Sequence, residues 1–138
     1  TNISTKAFQA LRIFVNKEFS ELINGLIEAT KLVKSGGKII VLSFHSLEDK
    51  VVKFFFSNYS KNKSRPSRYL PESQITRKAL FNNYKNKVLR PSKKEIDKNS
   101  RSRSAKLRFA IRSHNKFEYP KELFKKFNKY LDLEAINV

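Results

Sequence analysis

The stretch Ser43-Phe44-His45-Ser46-Leu47-Glu48-Asp49 sets two hydroxyls, an aromatic ring, an imidazole and two carboxylates directly after an apolar run. His45 and Asp49 are by type an acid/base pair, although no nucleophile or phosphate-binding loop accompanies them. Placement matters as much as residue type. Ile39 to Leu42 are apolar at four consecutive positions, which predicts a strand covered on both faces, as in a parallel sheet. Ser46 is then expected to cap a helix, with Glu48 and Asp49 offsetting the dipole of its first turn. Ligands of open α/β sheets sit outside the carboxyl ends of such strands, so Ser43 to Asp49 occupies the place where a site is expected.

The elements around this segment make an αβα unit. Phe8, Leu11, Val15, Phe19, Leu22, Leu26, Ala29 and Val33 follow one another at steps of three or four, predicting a helix from about Lys6 to Val33 with its apolar face in the core. Asn16 or Gly25 is the expected bend or break. Gly36-Gly37 supplies the stop before the strand. Leu47, Val51, Phe55 and Tyr59 give the following helix its apolar side. Residues 60–104 form a basic loop region. Its Pro-containing part carries Arg65 and Arg68, Tyr59, Tyr69 and Tyr84 are interleaved with charge, Lys87–Arg90 reads as a short strand, and Ser92-Lys93-Lys94-Glu95 has capping-box spacing. Strict alternation then begins. Ala105, Leu107, Phe109 and Ile111 share one face of a strand, and Lys106, Arg108 and Arg112 the other, expected to point outward. After Pro120 a packing helix is expected at about residues 119–133.

Composition limits the function classes. The chain has 138 residues and a net charge of +18, concentrated in the middle: 6 Lys/Arg against 5 Asp/Glu up to Asp49, 20 against 3 from Lys50 to Lys116, and 4 against 4 thereafter. Compositional drift toward Lys and Asn would not spare both ends, so the excess points to a polyanion, nucleic acid being the usual one. Arg101, Ser102, Arg103, Lys106 and Arg108 form the expected phosphate track, with the protective charge of a surface strand as the alternative. There is no cysteine, and the two histidines lie far apart in sequence, so thiolate metal sites are excluded and no metal is expected. A reducing, cytoplasmic setting is compatible, and no run has membrane-spanning length. Without methionine and starting at Thr1, the chain reads as a processed product or as a fragment of a longer reading frame.

Four separated blocks carry a family resemblance: Phe8-Gln9-Ala10-Leu11-Arg12-Ile13 with Val15-Asn16; Gly36-Gly37-Lys38 through Ser43-Phe44-His45-Ser46-Leu47-Glu48-Asp49-Lys50-Val51-Val52-Lys53; Pro91-Ser92; and Asn99-Ser100-Arg101-Ser102-Arg103-Ser104-Ala105-Lys106-Leu107-Arg108. In this order they resemble the C-terminal portion of the RsmH (MraW) family. The resemblance implies a methyltransferase that uses S-adenosylmethionine on the N4 amino group of a cytosine in the decoding region of small-subunit (16S) ribosomal RNA. It also implies an α/β fold: the C-terminal part of a doubly wound class I sheet, holding strand 5 and the last antiparallel strand pair. A long N-terminal helix and a C-terminal helix complete a single partial domain over residues 1–138.

The resemblance further implies where contacts fall. Phe44 would stack on the cytosine, His45 and Ser46 would hydrogen-bond it, and Asp49 would orient its neighbours, with Arg12 and Asn16 facing the same cleft. Each has a structural alternative: Phe44 as the end of a core strand, His45 as a satisfied polar group, Ser46 as a cap, Asp49 as a partner of the helix dipole. The family's glycine-rich cofactor loop has no counterpart among Gly25, Gly36 and Gly37, so no cofactor-binding residue is expected and the catalytic residues stay unassigned. The expected partner is small-subunit rRNA or the assembling subunit. Self-association through an exposed strand edge is expected as well, and a non-catalytic RNA-binding or ribosome-associated module is the alternative function.

Overall fold

A computed structural model describes residues 3–61, 78–82 and 84–136. The apolar repeat expected as one helix forms two, α1 (Ile3–Val15) and α2 (Glu18–Leu32), and Asn16–Lys17 is the break. Lys17 adopts the left-handed conformation (φ 52°, ψ 38°), which no helix can propagate through. The break also splits the apolar face. Phe19, Ile23, Leu26 and Ile27 of α2 are buried, whereas Phe8, Leu11 and Val15 of α1 are exposed and Ile13 alone is buried there, so the expectation of a continuous core face fails in the first half.

After the Gly36-Gly37 turn comes β1 (Lys38–Ser43), and then α3 (Ser46–Asn58). Following α4 (Lys93–Lys98) and a 3₁₀ turn (Ser100–Ser104), β2 (Lys106–Ile111) runs antiparallel to β1 in the register Ile39↔Ala110, Val41↔Arg108, Ser43↔Lys106. The expected strand at Lys87–Arg90 reduces to a single antiparallel bridge, Leu89↔Leu107, so β2 lies between β1 and Leu89. Among the described residues the far edge of β1 has no partner.

Two expectations about faces are corrected. First, β1 is covered on one side only: Ile39 and Ser43 are buried, Ile40 and Leu42 exposed. Its continuous apolar run serves one packed face and one bare face, the latter continued by Phe109 and Leu89. Second, the alternation of β2 is real but inverted. Arg108 and Arg112 lie on the face that packs inward with Ala110, and Phe109 lies outside. Arg112 can be buried because its guanidinium donates to the carbonyls of Thr30 (3.0 Å), Leu80 (3.0 Å) and Asn115 (2.9 Å), replacing the water it loses. Burial lowers its basicity from the ordinary value.

The core between sheet and helices is aromatic: Phe55, Phe56 and Phe81 are fully buried, and Phe81 meets Phe55 and Phe56 edge to face at 5.2 and 5.1 Å. Tyr59 and Tyr84 belong to this core rather than to a stacking surface. Tyr69, Arg65 and Arg68 lie outside the described residues. The C-terminal helix, α5 (Lys121–Ala135), packs Leu123 and Phe127 inward and returns Glu134 to the start of α2. There the buried carboxylate accepts hydrogen bonds from the Phe19 and Ser20 amides, both 2.9 Å, and from the Ser20 hydroxyl. Lys17, at the N-cap position of α2, offers no capping side chain, so Glu134 supplies from 115 residues away what a local cap would.

Glu134→Ala is expected to cost about 1–3 kcal/mol in urea unfolding, because it strands two helix-terminal amides, and Glu134→Gln less. An unchanged unfolding midpoint for the alanine variant would show that α5 does not cap α2.

Candidate functional site

The turn from β1 into α3 is built by a reciprocal cap. His45, not Ser46, is the N-cap: its Nδ1 accepts from the Glu48 amide at 3.3 Å, while Glu48 Oε2 accepts from the amides of Phe44 (3.0 Å) and His45 (3.4 Å). Because Nδ1 accepts, the proton of the neutral ring sits on Nε2. That buried N–H lies 3.3 Å from Glu48 Oε1 and 3.8 Å from Glu18 Oε2, with no aligned acceptor among the described residues.

Glu18, His45 and Glu48 bring one potential ligand atom each to within 4.8 Å of one another, the dimensions of a cation site. The donor chemistry opposes it. Metal binding needs the Nε2 lone pair, which would move the proton to Nδ1 and break the cap. Glu18 is moreover already held by Arg12 Nε (2.8 Å), Arg12 Nη2 (3.2 Å) and Asn16 Nδ2 (3.4 Å). Burial would raise the Glu18 carboxyl, but the hydrogen bonds from Arg12 and Asn16 and the Arg12 charge outweigh it and hold the group below its ordinary value. Glu48 is bonded to His45 through the cap and Glu18 to Arg12 and Asn16, with the His45 ring facing both carboxylates, and Glu18 and Glu48 are members of this cluster that sequence reasoning missed. The His45-x-x-Glu48 spacing was the available signal for the second.

One turn into α3, Asp49 is buried against β2. Its carboxylate receives Arg108 Nε at 2.7 Å and Nη2 at 3.1 Å, with Lys106 Nζ at 3.5 Å, and Arg108 also donates to Tyr84 and Asn86, both at 3.1 Å. Burial alone would raise the Asp49 carboxyl; the Arg108 hydrogen bonds and charge, with Lys106, more than reverse this and hold it below the usual carboxylate range. Arg108 is therefore an internal ion-pair partner, not part of an outward phosphate track. Nor do His45 and Asp49 form an acid/base pair: one faces Glu18 and Glu48, the other Arg108.

These anchors shape a cleft of about 690 Å³. One wall is α1, through Thr5, Phe8, Gln9 and Arg12; the β1–α3 turn contributes Phe44, His45 and Ser46; the third side is Arg90 with Arg103, Ser104, Ala105 and Lys106. Arg12, Phe44, His45, Ser46, Arg103 and Lys106, singled out by sequence from three separate regions, thus converge. Asn16 stands behind Arg12 on Glu18, Asp49 behind Lys106, and Ser102 is buried with its hydroxyl on the Asn99 carbonyl, so these three do not line the cleft; neither does the exposed Arg101. Phe8, Gln9 and Arg90 are lining residues that sequence reasoning missed, Phe8 because its helical spacing reads as core. Among the described residues the lining carries four cations and no carboxylate. A concavity of this size with aromatic and cationic walls suits a nucleotide.

The fold is mixed, helices packed on one face of a small antiparallel sheet, and its basic cleft opens at the carboxyl end of a strand. The sequence model of the MraW methylase family matches residues 1–113, and the chain belongs to that family. It is 49% identical over 110 residues to the ribosomal RNA small subunit methyltransferase H of Bartonella quintana, covering 80% of this chain and 32% of that protein. The proteins of the same description from Granulibacter bethesdensis and Agrobacterium fabrum are 45% identical over 106 residues and 44% over 110. The chain spans about a third of the length of these curated relatives. The matched residues end before α5.

Arg108→Met is expected to destabilise the fold by up to about 3–5 kcal/mol, since it leaves a buried carboxylate with Lys106 at 3.5 Å in place of its bidentate partner, and to weaken binding to RNA no more than its loss of folded protein accounts for. A stable variant with selectively weakened RNA binding would return Arg108 to the surface role. The pH dependence follows from Asp49. Its unfolded carboxyl titrates near the ordinary value, about 3.9, and its folded value is lower, so the pair's contribution is complete above the ordinary value and is lost as pH falls through the folded value. Asp49→Asn should accordingly be less stable than the parent at neutral pH, with the difference shrinking as pH falls through the folded value; an Asp49→Asn stability that varies with pH as steeply as the parent's would exclude Asp49 as the titrating group.

Proposed function

We propose that this chain forms the RNA-facing wall of an S-adenosylmethionine-dependent methyltransferase acting on the N4 amino group of a cytosine in the decoding region of small-subunit rRNA. The observation that carries the reading is the convergence of Phe44, His45, Ser46 and Arg12 with Arg103 and Lys106 in one basic cleft. The family membership and the names of the relatives, ribosomal RNA small subunit methyltransferases, support it. In this reading β1 is the fifth strand of a doubly wound sheet, and β2 with Leu89 represents the closing antiparallel pair. The partner is small-subunit rRNA, bare or in the assembling particle, and the setting is cytoplasmic.

The residues present do not fit the cofactor. Gly36 and Gly37 make the turn at the amino end of β1, away from the cleft, and Gly25 lies within α2. S-adenosylmethionine, which supplies the methyl group, would be held by parts of the full-length enzyme that the relatives contain and this chain does not. The chain's own residues bind and orient. Phe44 is 53% exposed and offers a face to an extruded base. Ser46, at the first turn of α3, presents a hydroxyl beside it. Asp49 and Glu18 keep Lys106 and Arg12 extended along the walls. The isolated chain is then an RNA binder without transfer activity. Its bare face, with Ile40, Leu42 and Phe109, is the surface that the rest of the enzyme would cover and the one through which the isolated chain would self-associate.

The test is a chimera in which this chain replaces the matching segment of the Bartonella quintana protein. We expect methyl transfer to small-subunit rRNA, mapped as N4-methylcytidine by mass spectrometry, with Phe44→Ala reducing kcat/KM about 10- to 100-fold, the loss of one stacking contact of about 1–3 kcal/mol. A folded chimera that binds rRNA and transfers no methyl group would overturn the reading in favour of a non-catalytic RNA-binding module.

A further inference from the structure

The four cations of the cleft divide into two kinds. Arg12 is paired with Glu18, and Lys106 leans on Asp49, whose charge it shares with Arg108. Arg90 and Arg103 are exposed and make no ion pair or side-chain hydrogen bond among the described residues. They come from different loops, yet neither is loosely placed. Arg90 follows Leu89, which exchanges both backbone hydrogen bonds with Leu107 at 2.9 Å. Arg103 sits in the 3₁₀ turn fixed by the Ser102 amide on the Asn99 carbonyl (2.9 Å) and the Ala105 amide on the Ser102 carbonyl (2.8 Å). Two exposed guanidiniums from different loops on one concavity offer two separate places for anionic groups, and a ligand carrying two such groups can engage both. Phe8 and Phe44, 72% and 53% exposed, add an aromatic face from each of two walls, which an inorganic anion would leave unused.

We propose that Arg90 and Arg103 are a phosphate grip that binds the two phosphodiesters flanking a single nucleotide seated in the cleft, one arginine to each phosphate. The inference rests on the RNA-facing reading and deepens it: the recognised unit is one unpaired nucleotide with both of its phosphates, so the site takes single-stranded or extruded RNA and discriminates against a free nucleoside. Arg12 and Lys106, already paired, shape the walls and contribute less to phosphate affinity.

The experiment is an NMR titration of this chain with cytidine 3′,5′-bisphosphate, cytidine 5′-phosphate, cytidine 3′-phosphate, cytidine and inorganic phosphate. Removing either phosphate should weaken binding about tenfold, a charge-assisted contact of roughly 1.4 kcal/mol. Arg90→Gln and Arg103→Gln should each cost the same for the bisphosphate, and each should be insensitive to the loss of one particular phosphate, a different one for each variant. Lys126→Gln/Lys129→Gln, on α5 and outside the cleft, should change affinity less than twofold. Thermal melting of the exposed-residue variants monitors folding. The grip is overturned if both arginines respond alike to either phosphate, if the α5 control loses as much, or if inorganic phosphate binds as tightly as the bisphosphate. Those results would leave the methyltransferase reading standing, and a chimera without methyl transfer would leave the grip standing.

Discussion

The ion pair between Asp49 and Arg108 is the constraint on which the site depends. Two hydrogen bonds join the side chains across 59 residues of sequence, tying the first turn of α3 to the middle of β2. Taking both charges out of water is costly, and the geometry offsets this only because Arg108 finds Tyr84 and Asn86 for its remaining donors and Lys106 leans on the second carboxylate oxygen. Everything on the cleft's floor follows. α3 begins where Asp49 lets it begin, so the His45–Glu48 cap and the exposed ring of Phe44 are set relative to β2. β2 in turn carries Lys106, and its pairing with Leu89 places Arg90.

Much of this was legible in the sequence, but not its sidedness. Alternation in residues 105–112 shows which side chains share a face; it does not show which face is inward. Hydrophobicity favoured Leu107 and Phe109 as the buried set, and the structure buries Arg108, Ala110 and Arg112. The deciding partners are Asp49, Thr30 and Leu80, which meet the arginines only in three dimensions. The same limit applies to β1, where four apolar residues predicted two covered faces and one is bare. The position of the site was readable because it needs only a strand end, a cap and polar residues in a short segment. Its far wall was not, since Phe8 has the spacing of a core residue and Arg90 stands alone before a proline.

The bare apolar surfaces and the basic cleft border one another. Phe44 is both the last exposed ring after β1 and a lining residue of the cleft, and Phe8 is both part of the exposed stripe of α1 and the opposite lining. Apolar surface so close to a basic concavity has two physical uses: to be covered by protein, or to stack against bases. Ile40, Leu42 and Phe109 lie outside the lining and suit the first; Phe8 and Phe44, within the lining, suit the second.

The remaining link is between the C-terminal helix and the cleft. Glu134 caps α2 at Phe19 and Ser20, the two residues immediately after Glu18. Glu18 in turn holds Arg12 on the cleft wall and faces the ring of His45. Lys17, in the left-handed conformation, breaks the helical pair here without capping α2, and the local side-chain closure is that of Arg12 and Asn16 on Glu18. A cap supplied from α5 therefore does more than dock a terminal helix. It fixes the corner from which α1 departs, and with it the distance between the wall that carries Phe8 and Arg12 and the turn that carries Phe44 and His45. α5 lies beyond the residues matched to the family, yet through Glu134 it bears on a corner that lies within them.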